Sequence, residues 1–241
     1  MISKTIQKKI VLGVLFFLPV MFLLMLYPST SNYNVLDIVK KDIVELNGFK
    51  DQDGQPIALE NHITVLGFLG DNPEANALAA LNLKEVIYDK FKGFKKFQIV
   101  FLAPDQVKNK LHNLETELNQ KEPLKYWHFA FSDSASITRV FNSLKTEENL
   151  SQGLATTHVF IIDKERNQRG RLDDREDREK ATKKAFPLFS YNAVKVSELK
   201  NKMAAEDMRV LFTEYRQKRK GNFDSESRRK QDLKGQNNEE D

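Results

Sequence analysis

The strongest constraint on the fold is a series of short apolar runs at residues 63–69, 98–102 and 158–163, separated by stretches of helical periodicity. Apolar runs of strand length, without regular polar alternation, read as strands covered on both faces. A chain that alternates such strands with helices builds an α/β layer structure around one sheet.

The segments between the runs carry their own signals. Asn72 is a good helix N-cap, Pro73 suits the first helical position and Glu74 complements the helix dipole, so the sequence predicts a helix over 72–92. Its expected apolar face is Leu78, Leu81, Val86, Ile87 and Phe91, with Gly93 as the stop. Residues 105–119 predict an amphipathic surface helix. Residues 127–131 alternate as a strand, and Ser134 caps a helix running through Val140, Phe141 and Leu144. After 158–163, a polar turn at 164–167 leads to an antiparallel partner at 168–172. The charged run 173–184 reads as a solvated excursion. A long helix follows at 194–218, with Val196, Leu199, Met203, Leu211 and Tyr215 as its apolar stripe; its first half is expected to pack and its second to be exposed.

Upstream, 36–42 reads as a short edge strand and 49–59 as a strand pair turning at Asp53-Gly54. The Asp-x-Asp-Gly there is turn chemistry, because the later bidentate Glu of a calcium loop is missing. The whole pattern describes an α/β fold, a thioredoxin-like sandwich with a central mixed sheet flanked by helices. The pattern alone leaves flavodoxin-like topologies open.

The 241 residues and 40% hydrophobic content suit one compact domain, assigned to 36–219. Residues 10–27 are apolar and uncharged, about the length of a transmembrane helix, and Pro19 inside them is tolerable in a membrane. Lys4, Lys8 and Lys9 precede this run and Tyr27 ends it, so residues 1–9 are expected in the cytoplasm and the domain outside, in the periplasm. The flank after Tyr27 lacks a small-x-small cleavage site, which favours an uncleaved single-pass anchor over a signal peptide. No Arg/Ser-rich presequence precedes it, so the expected location is a bacterial inner membrane. Residues 28–35 form a tether, and 220–241 are expected to be a disordered charged tail.

Several chemistries are excluded or disfavoured. The chain has no cysteine, so disulfides, thiol redox chemistry and thiolate metal sites are impossible. The net charge of +4 comes from interspersed charges of both signs, with no basic stripe interleaved with aromatics, which argues against nucleic acid. No Gly-x-Ser-x-Gly and no phosphate-binding loop is present. In Thr156-Thr157-His158, neighbours along a strand point to opposite faces, which disfavours a nucleophile–base pair. The carboxylates Asp173, Asp174, Glu176, Asp177 and Glu179 lie among Arg171, Arg175 and Arg178, a pattern of solvated ion pairs rather than of a cation site. His62, His112, His128 and His158 show no ligand spacing. Catalytic, cofactor-binding and metal residues are therefore assigned to none, with His158 the one weak candidate.

Three stretches in order carry a resemblance to a known family. They are Phe49-x-Asp-Gln-Asp-Gly-x-Pro-Ile, the junction Asn72-Pro73-Glu74-Ala75-Asn76 after the first apolar run, and residues 160–171 ending in Arg-Gly-Arg. Together they resemble the SCO/SenC family of thioredoxin-fold proteins over about residues 36–218. The resemblance implies a membrane anchor, copper binding through two cysteines and a distant histidine, and assistance to cytochrome c oxidase assembly. Here the two cysteine positions are Asn72 and Asn76, so the motif is degenerate: its spacing, the cap residue Asn72 and Pro73 keep the frame, while the ligands are lost. His158 lies near the family histidine but too close to Asp163 for the family spacing. The implied role is then a non-catalytic accessory without cofactor, whose partners are the membrane and respiratory-oxidase subunits or a cysteine-bearing relative. Two alternatives remain open: a generic envelope interaction module, and a metal protein or enzyme with non-thiol ligands near His158.

Overall fold

The computed structural model describes residues 4–26, 35–119 and 123–219, and the chain divides into two units at 1–34 and 35–241. The tether at 28–34, the tail at 220–241 and the His112 side chain lie outside the described residues.

In the first unit, α1 (Lys4–Leu26) is a 23-residue helix with Pro19 inside it. Its apolar side chains are exposed on every side, from Val11 at 65% to Met25 at 80%. The described apolar stretch from Val11 to Met25 spans about 22 Å at roughly 1.5 Å per residue, against a hydrocarbon layer of about 30 Å. Among the described residues no helix is long and apolar enough to cross a membrane. The expected span at 10–27 is therefore not supported as such.

The second unit is an α/β sandwich around a mixed sheet. Its strands are β1 (Asp37–Lys40), β2 (Ile63–Leu69), β3 (Phe97–Pro104), β4 (Trp127–Ser132), β5 (Ala155–Ile162), β6 (Gln168–Gly170) and β7 (Tyr191–Asn192). The order is β1-β6-β5-β2-β3-β4, with β7 paired to β5. β2, β3 and β4 are mutually parallel, while β5 runs antiparallel to β2, and β6 antiparallel to β5 and β1. This is the thioredoxin-like arrangement, with β1 at one edge as expected.

Both faces of the sheet are covered, which is why β2 and β3 are buried along their whole length. On one face Ile63, Val65, Phe101 and Ile161 pack against the helical segments around Leu83, Ile87, Met203 and Leu211. On the other, Leu66, Phe68, Val100 and Phe160 meet Ile137, Val140 and Phe141 of α5 (Ser134–Ser143), together with Ile43, Leu46, Phe49 and Leu59 of the entry segment. Each fully buried Leu, Ile or Phe contributes roughly 1.5–3 kcal/mol.

Local differences from the sequence reading have physical causes. Residues 49–59 form no strand pair: the Asp51 carboxylate accepts the N–H groups of Asp53 and Gln55 at 2.9 and 2.8 Å, giving a side-chain-held turn with only single bridges from Lys50 to Pro56 and Phe131. The α5 cap is Asp133, one residue before Ser134, and its carboxylate accepts Ser136 N–H at 2.8 Å. Residues 105–119 divide into a 3-10 segment (Asp105–Lys110) and α4 (His112–Leu118).

Two π-helical segments shift the helical stripes. α2 (Ala77–Leu83) passes through a π segment (Lys84–Tyr88) into α3 (Asp89–Phe91), which leaves Leu78 54% exposed and buries Ala79, Ala80, Leu83 and Tyr88. The last helical run is α7 (Val196–Glu198), a π segment (Leu199–Asp207) and α8 (Met208–Arg219). Val196 is exposed, while Met208, Leu211, Phe212 and Glu214 are buried, so packing continues well into the half expected to be exposed.

The run 173–184 is largely exposed, as expected of a solvated excursion, with Asp174 the exception among its described residues. It holds the short α6 (Asp177–Lys180), and Asp174 is buried, bonded to Arg171 at 2.8 Å and to Lys202.

Candidate functional site

The corner after β2 is built from a strand end, a left-handed glycine and a turn. Gly70 has φ +74°, and a Cβ there would lie 2.5 Å from the Gly153 carbonyl oxygen, so the reversal requires glycine. Asp71 N–H donates to that carbonyl at 2.8 Å, stitching the corner to the loop before β5. Gly153 is less constrained: a Cβ there would sit 2.1 Å from Asp71 Oδ1, the end of an exposed side chain that can turn away.

The expected helix start at Asn72 is displaced. Residues 73–76 form turns in which Asn76 N–H donates to Pro73 C=O at 3.2 Å and Ala77 N–H to Glu74 C=O at 3.3 Å; α2 begins only at Ala77. Asn72 caps this turn, its Oδ1 accepting Ala75 N–H at 3.3 Å. Pro73 is buried beneath it. Asn76 donates from Nδ2 to Leu69 C=O at 2.9 Å and Asn72 C=O at 3.3 Å. It ties the strand end to the turn across the two positions where a thiol pair would stand.

The corner does not fit copper. An amide oxygen and an amide nitrogen are poor ligands for Cu(I) beside sulfur, and here both are engaged with the backbone. Among the described residues no three His, Asp or Glu side chains gather as a metal site.

His158 sits in an irregular stretch of β5. Leu66 pairs with Phe160 and Phe68 with Thr156, so Gly67 alone lies opposite Thr157, His158 and Val159. A bulge of this kind bends a strand out of its ladder. His158 and Val159 turn instead to β7, pairing with Asn192 and Tyr191. The His158 ring, 19% exposed, places Nε2 3.4 Å from Glu148 Oε1, and its backbone N–H donates to Thr156 Oγ1 at 3.2 Å. No hydrogen bond or ion pair among the described residues joins it to Asn72 or Asn76. His62 Nδ1 lies 3.0 Å from Glu60 C=O, and burial pushes its pKa down. His128 lies on β4, its pKa also lowered by burial.

Charge concentrates elsewhere, at the β1–β6 end of the sheet. Arg169 is 1% exposed; its Nε lies 3.0 Å from Asp163 Oδ2, its Nη2 2.5 Å from Glu214 Oε2, and its Nη1 donates to Leu36 C=O at 2.6 Å. Arg171 bonds Asp207 at 2.8 Å and Asp174 at 2.8 Å, and Tyr191 OH donates to Asp207 at 2.6 Å. Burial pushes the Asp163 and Asp207 carboxyls up despite these arginines. The network locks the last helical run to the sheet. The sequence located both arginines and the nearby Asp174, but not the distant partners Glu214 and Asp207, 45 and 36 residues away.

No family model matches the sequence, and no curated protein matches it. The solved structures supply likenesses of fold. The structure resembles SCO/SenC proteins. BsSco, described as a Sco-family cytochrome c oxidase assembly protein with a disulfide switch, is 13% identical, with 74% of this chain and 98% of that one covered and a TM-score of 0.46. A SCO/SenC family lipoprotein from Bacillus anthracis is 16% identical over 71% of this chain and 94% of that one, with a TM-score of 0.44. ScoI from Bradyrhizobium japonicum, solved with copper bound, is 14% identical over 72% and 99%, with a TM-score of 0.41. What the corner does in this chain is carried by its own residues.

Proposed function

We propose that this chain is a membrane-anchored, SCO-like thioredoxin-fold protein without thiol or copper chemistry, which serves by binding as a non-catalytic accessory in respiratory-oxidase assembly. The observation that carries the non-catalytic reading is the corner itself. Asn76 Nδ2 and Asn72 Oδ1 each satisfy the backbone of the turn, which leaves a hydrogen-bonded frame without thiols where the family places them. A surface with no reactive group leaves binding as the role open to this corner, and its function is argued from the site rather than from the fold. The oxidase connection rests on the resemblance of the sequence motifs, and its partners would be oxidase subunits or a cysteine-bearing relative.

Membrane attachment, with the domain on the periplasmic side, is supported by α1, whose apolar side chains are exposed all round rather than on one face. The lysines at 4, 8 and 9 favour a cytoplasmic N-terminus.

Cross-linking in native membranes, followed by identification of the captured proteins, tests the proposal. Recovery of oxidase subunits is expected; recovery of unrelated envelope proteins alone would replace it with a generic interaction module. A second reading, a metal or catalytic site at His158, draws on the Glu148 carboxylate beside its ring and the bulge that presents it. His158→Ala changing metal content would favour that reading, and unchanged content removes it.

A further inference from the structure

The free edge of the sheet carries hydrogen-bond donors that the fold leaves unused. β4 is the edge strand beyond β3. Phe131 closes one end of this edge by exchanging backbone bonds with Lys50, at 2.8 and 3.2 Å. Backbone groups along a strand alternate in direction, so the N–H and C=O of Phe129 face the same outer side. No partner occupies them among the described residues. The edge here is not bare: a cavity of about 260 Å³ lies against it, bounded by the Asp51–Asp53 turn on one side and by Glu115 of α4 on the other.

Two side-chain donors in its wall are unsatisfied. Trp127 is 8% exposed, yet its indole N–H has no partner, and neither has the buried Nε2 of Gln52. Both residues line the cavity. Both nitrogens are shielded from water, so a ligand oxygen reaches them only as the wall gives way to admit it, and it would then recover the roughly 1–3 kcal/mol that a buried N–H without an acceptor costs. Trp127 is held in place by Tyr88 and Phe101, with ring centroids at 6.0 and 5.5 Å, so the donor is fixed.

The surrounding charge selects further. Asp51, Asp53 and Glu115 border the cavity against one ammonium, that of Lys125, which lies 5.4 Å from the Tyr126 ring centre. Burial favours the neutral form of His128, the remaining titratable wall residue. The balance at the rim is acidic.

We propose that the β4 edge binds an extended peptide segment bearing a basic side chain. Its backbone pairs with Phe129, its carbonyl oxygens accept from Trp127 Nε1 and Gln52 Nε2, and its cation meets Asp53 and Glu115. Strand addition of this kind takes affinity from main-chain bonds and selectivity from side-chain pockets. The volume admits only two or three residues of such a segment, being below the roughly 300–1,000 Å³ of sites that enclose a whole small ligand. This site lies across β3 from the strand that leads to the Asn72–Asn76 corner, and its existence does not depend on what that corner binds.

Trp127 is the chain's one tryptophan, so its indole N–H gives a single resonance that reports the site directly. The ¹⁵N-labelled full chain in detergent micelles is titrated with acetyl-Val-Arg-Val-amide, acetyl-Val-Glu-Val-amide and N-methylacetamide. Saturable shifts of the Trp127 indole and Phe129 amide are expected with the arginine peptide, and at least tenfold weaker binding with the glutamate peptide. Gln52→Met should weaken the arginine peptide about fivefold to tenfold, the worth of one hydrogen bond, and Asp53→Asn with Glu115→Gln should erase the charge preference. An indole resonance that moves with N-methylacetamide while the Phe129 amide stays still makes this a pocket for small polar molecules and overturns the peptide proposal. An indole that never moves, or equal binding of the two peptides, overturns it as well.

Discussion

The two edges of the sheet treat polar groups in opposite ways. At the β1–β6 end, Arg169 and Arg171 are matched by Asp163, Glu214, Asp174 and Asp207, and charges enclosed by the fold find partners within it. At the β4 edge, an indole N–H and a carboxamide N–H are enclosed with none. The first arrangement is closed to outside ligands, because each buried charge already faces a counter-charge. The second is open to them. The Asn72–Asn76 corner belongs with the closed edge: its amides complete the backbone and leave no donor set for a metal. The comparison separates polar groups that hold the fold from polar groups available for recognition.

The largest effect should come from breaking the closed edge. Arg169→Ala leaves Asp163 buried without its cation and Glu214 with Lys218 alone at 2.9 Å, and a loss of about 3–5 kcal/mol in urea unfolding is expected. A loss below about 1 kcal/mol would mean that the network is not what locks the last helix. Asn76→Ala removes the bond to the Leu69 carbonyl and should cost about 1–2 kcal/mol, with faster amide exchange at 70–77 and no change in metal content. Unchanged exchange there would show that the corner holds without Asn76.

The histidines give a weaker, pH-dependent test. Burial lowers the His128 and His62 pKa values in the folded state, so folding favours their neutral forms. The associated stability is full above the unfolded value, about 6.5, and is lost as pH falls through the lower folded values. Unfolding free energy should therefore decline on acidification below pH 6.5, and His128→Asn should flatten that decline. A decline of the same slope in the variant would assign it to other groups. The smallest effect belongs to Asn72→Ala, about 0.5 kcal/mol, because it caps an exposed turn through one long bond.

Much of the frame was legible because it depends on local pattern. β2, β3 and β5 follow from apolar runs, since strands covered on both faces have no polar alternation to disguise them. The β5–β6 hairpin follows from the polar turn between them. The helical stripes were less legible: each π segment adds residues to a turn, so Leu78 and Val196 rotate outward and Tyr88 and Met208 inward. The hairpin expected at 49–59 failed because the Asp51 side chain satisfies backbone N–H groups that a second strand would have engaged.

At the corner, the absence of thiols and the positions of Asn72, Pro73 and Asn76 were read from the sequence, but the task of Asn76 was not. Its acceptor at Leu69 exists only once the turn folds back on β2. The open donors of the β4 edge were invisible for the same reason: Gln52 and Trp127 are far apart in sequence, and only the fold places them in one wall. Arg169 stood in a recognised motif, yet its burial depends on Glu214, 45 residues away.

The central claim, that the corner retains a thiol frame without its chemistry, is tested most directly by copper competition. The full chain in detergent is titrated with Cu(I) in the presence of a chromogenic chelator, under anaerobic conditions. The account predicts that the chelator keeps the metal at every protein concentration. Stoichiometric transfer of Cu(I) to the protein would contradict it.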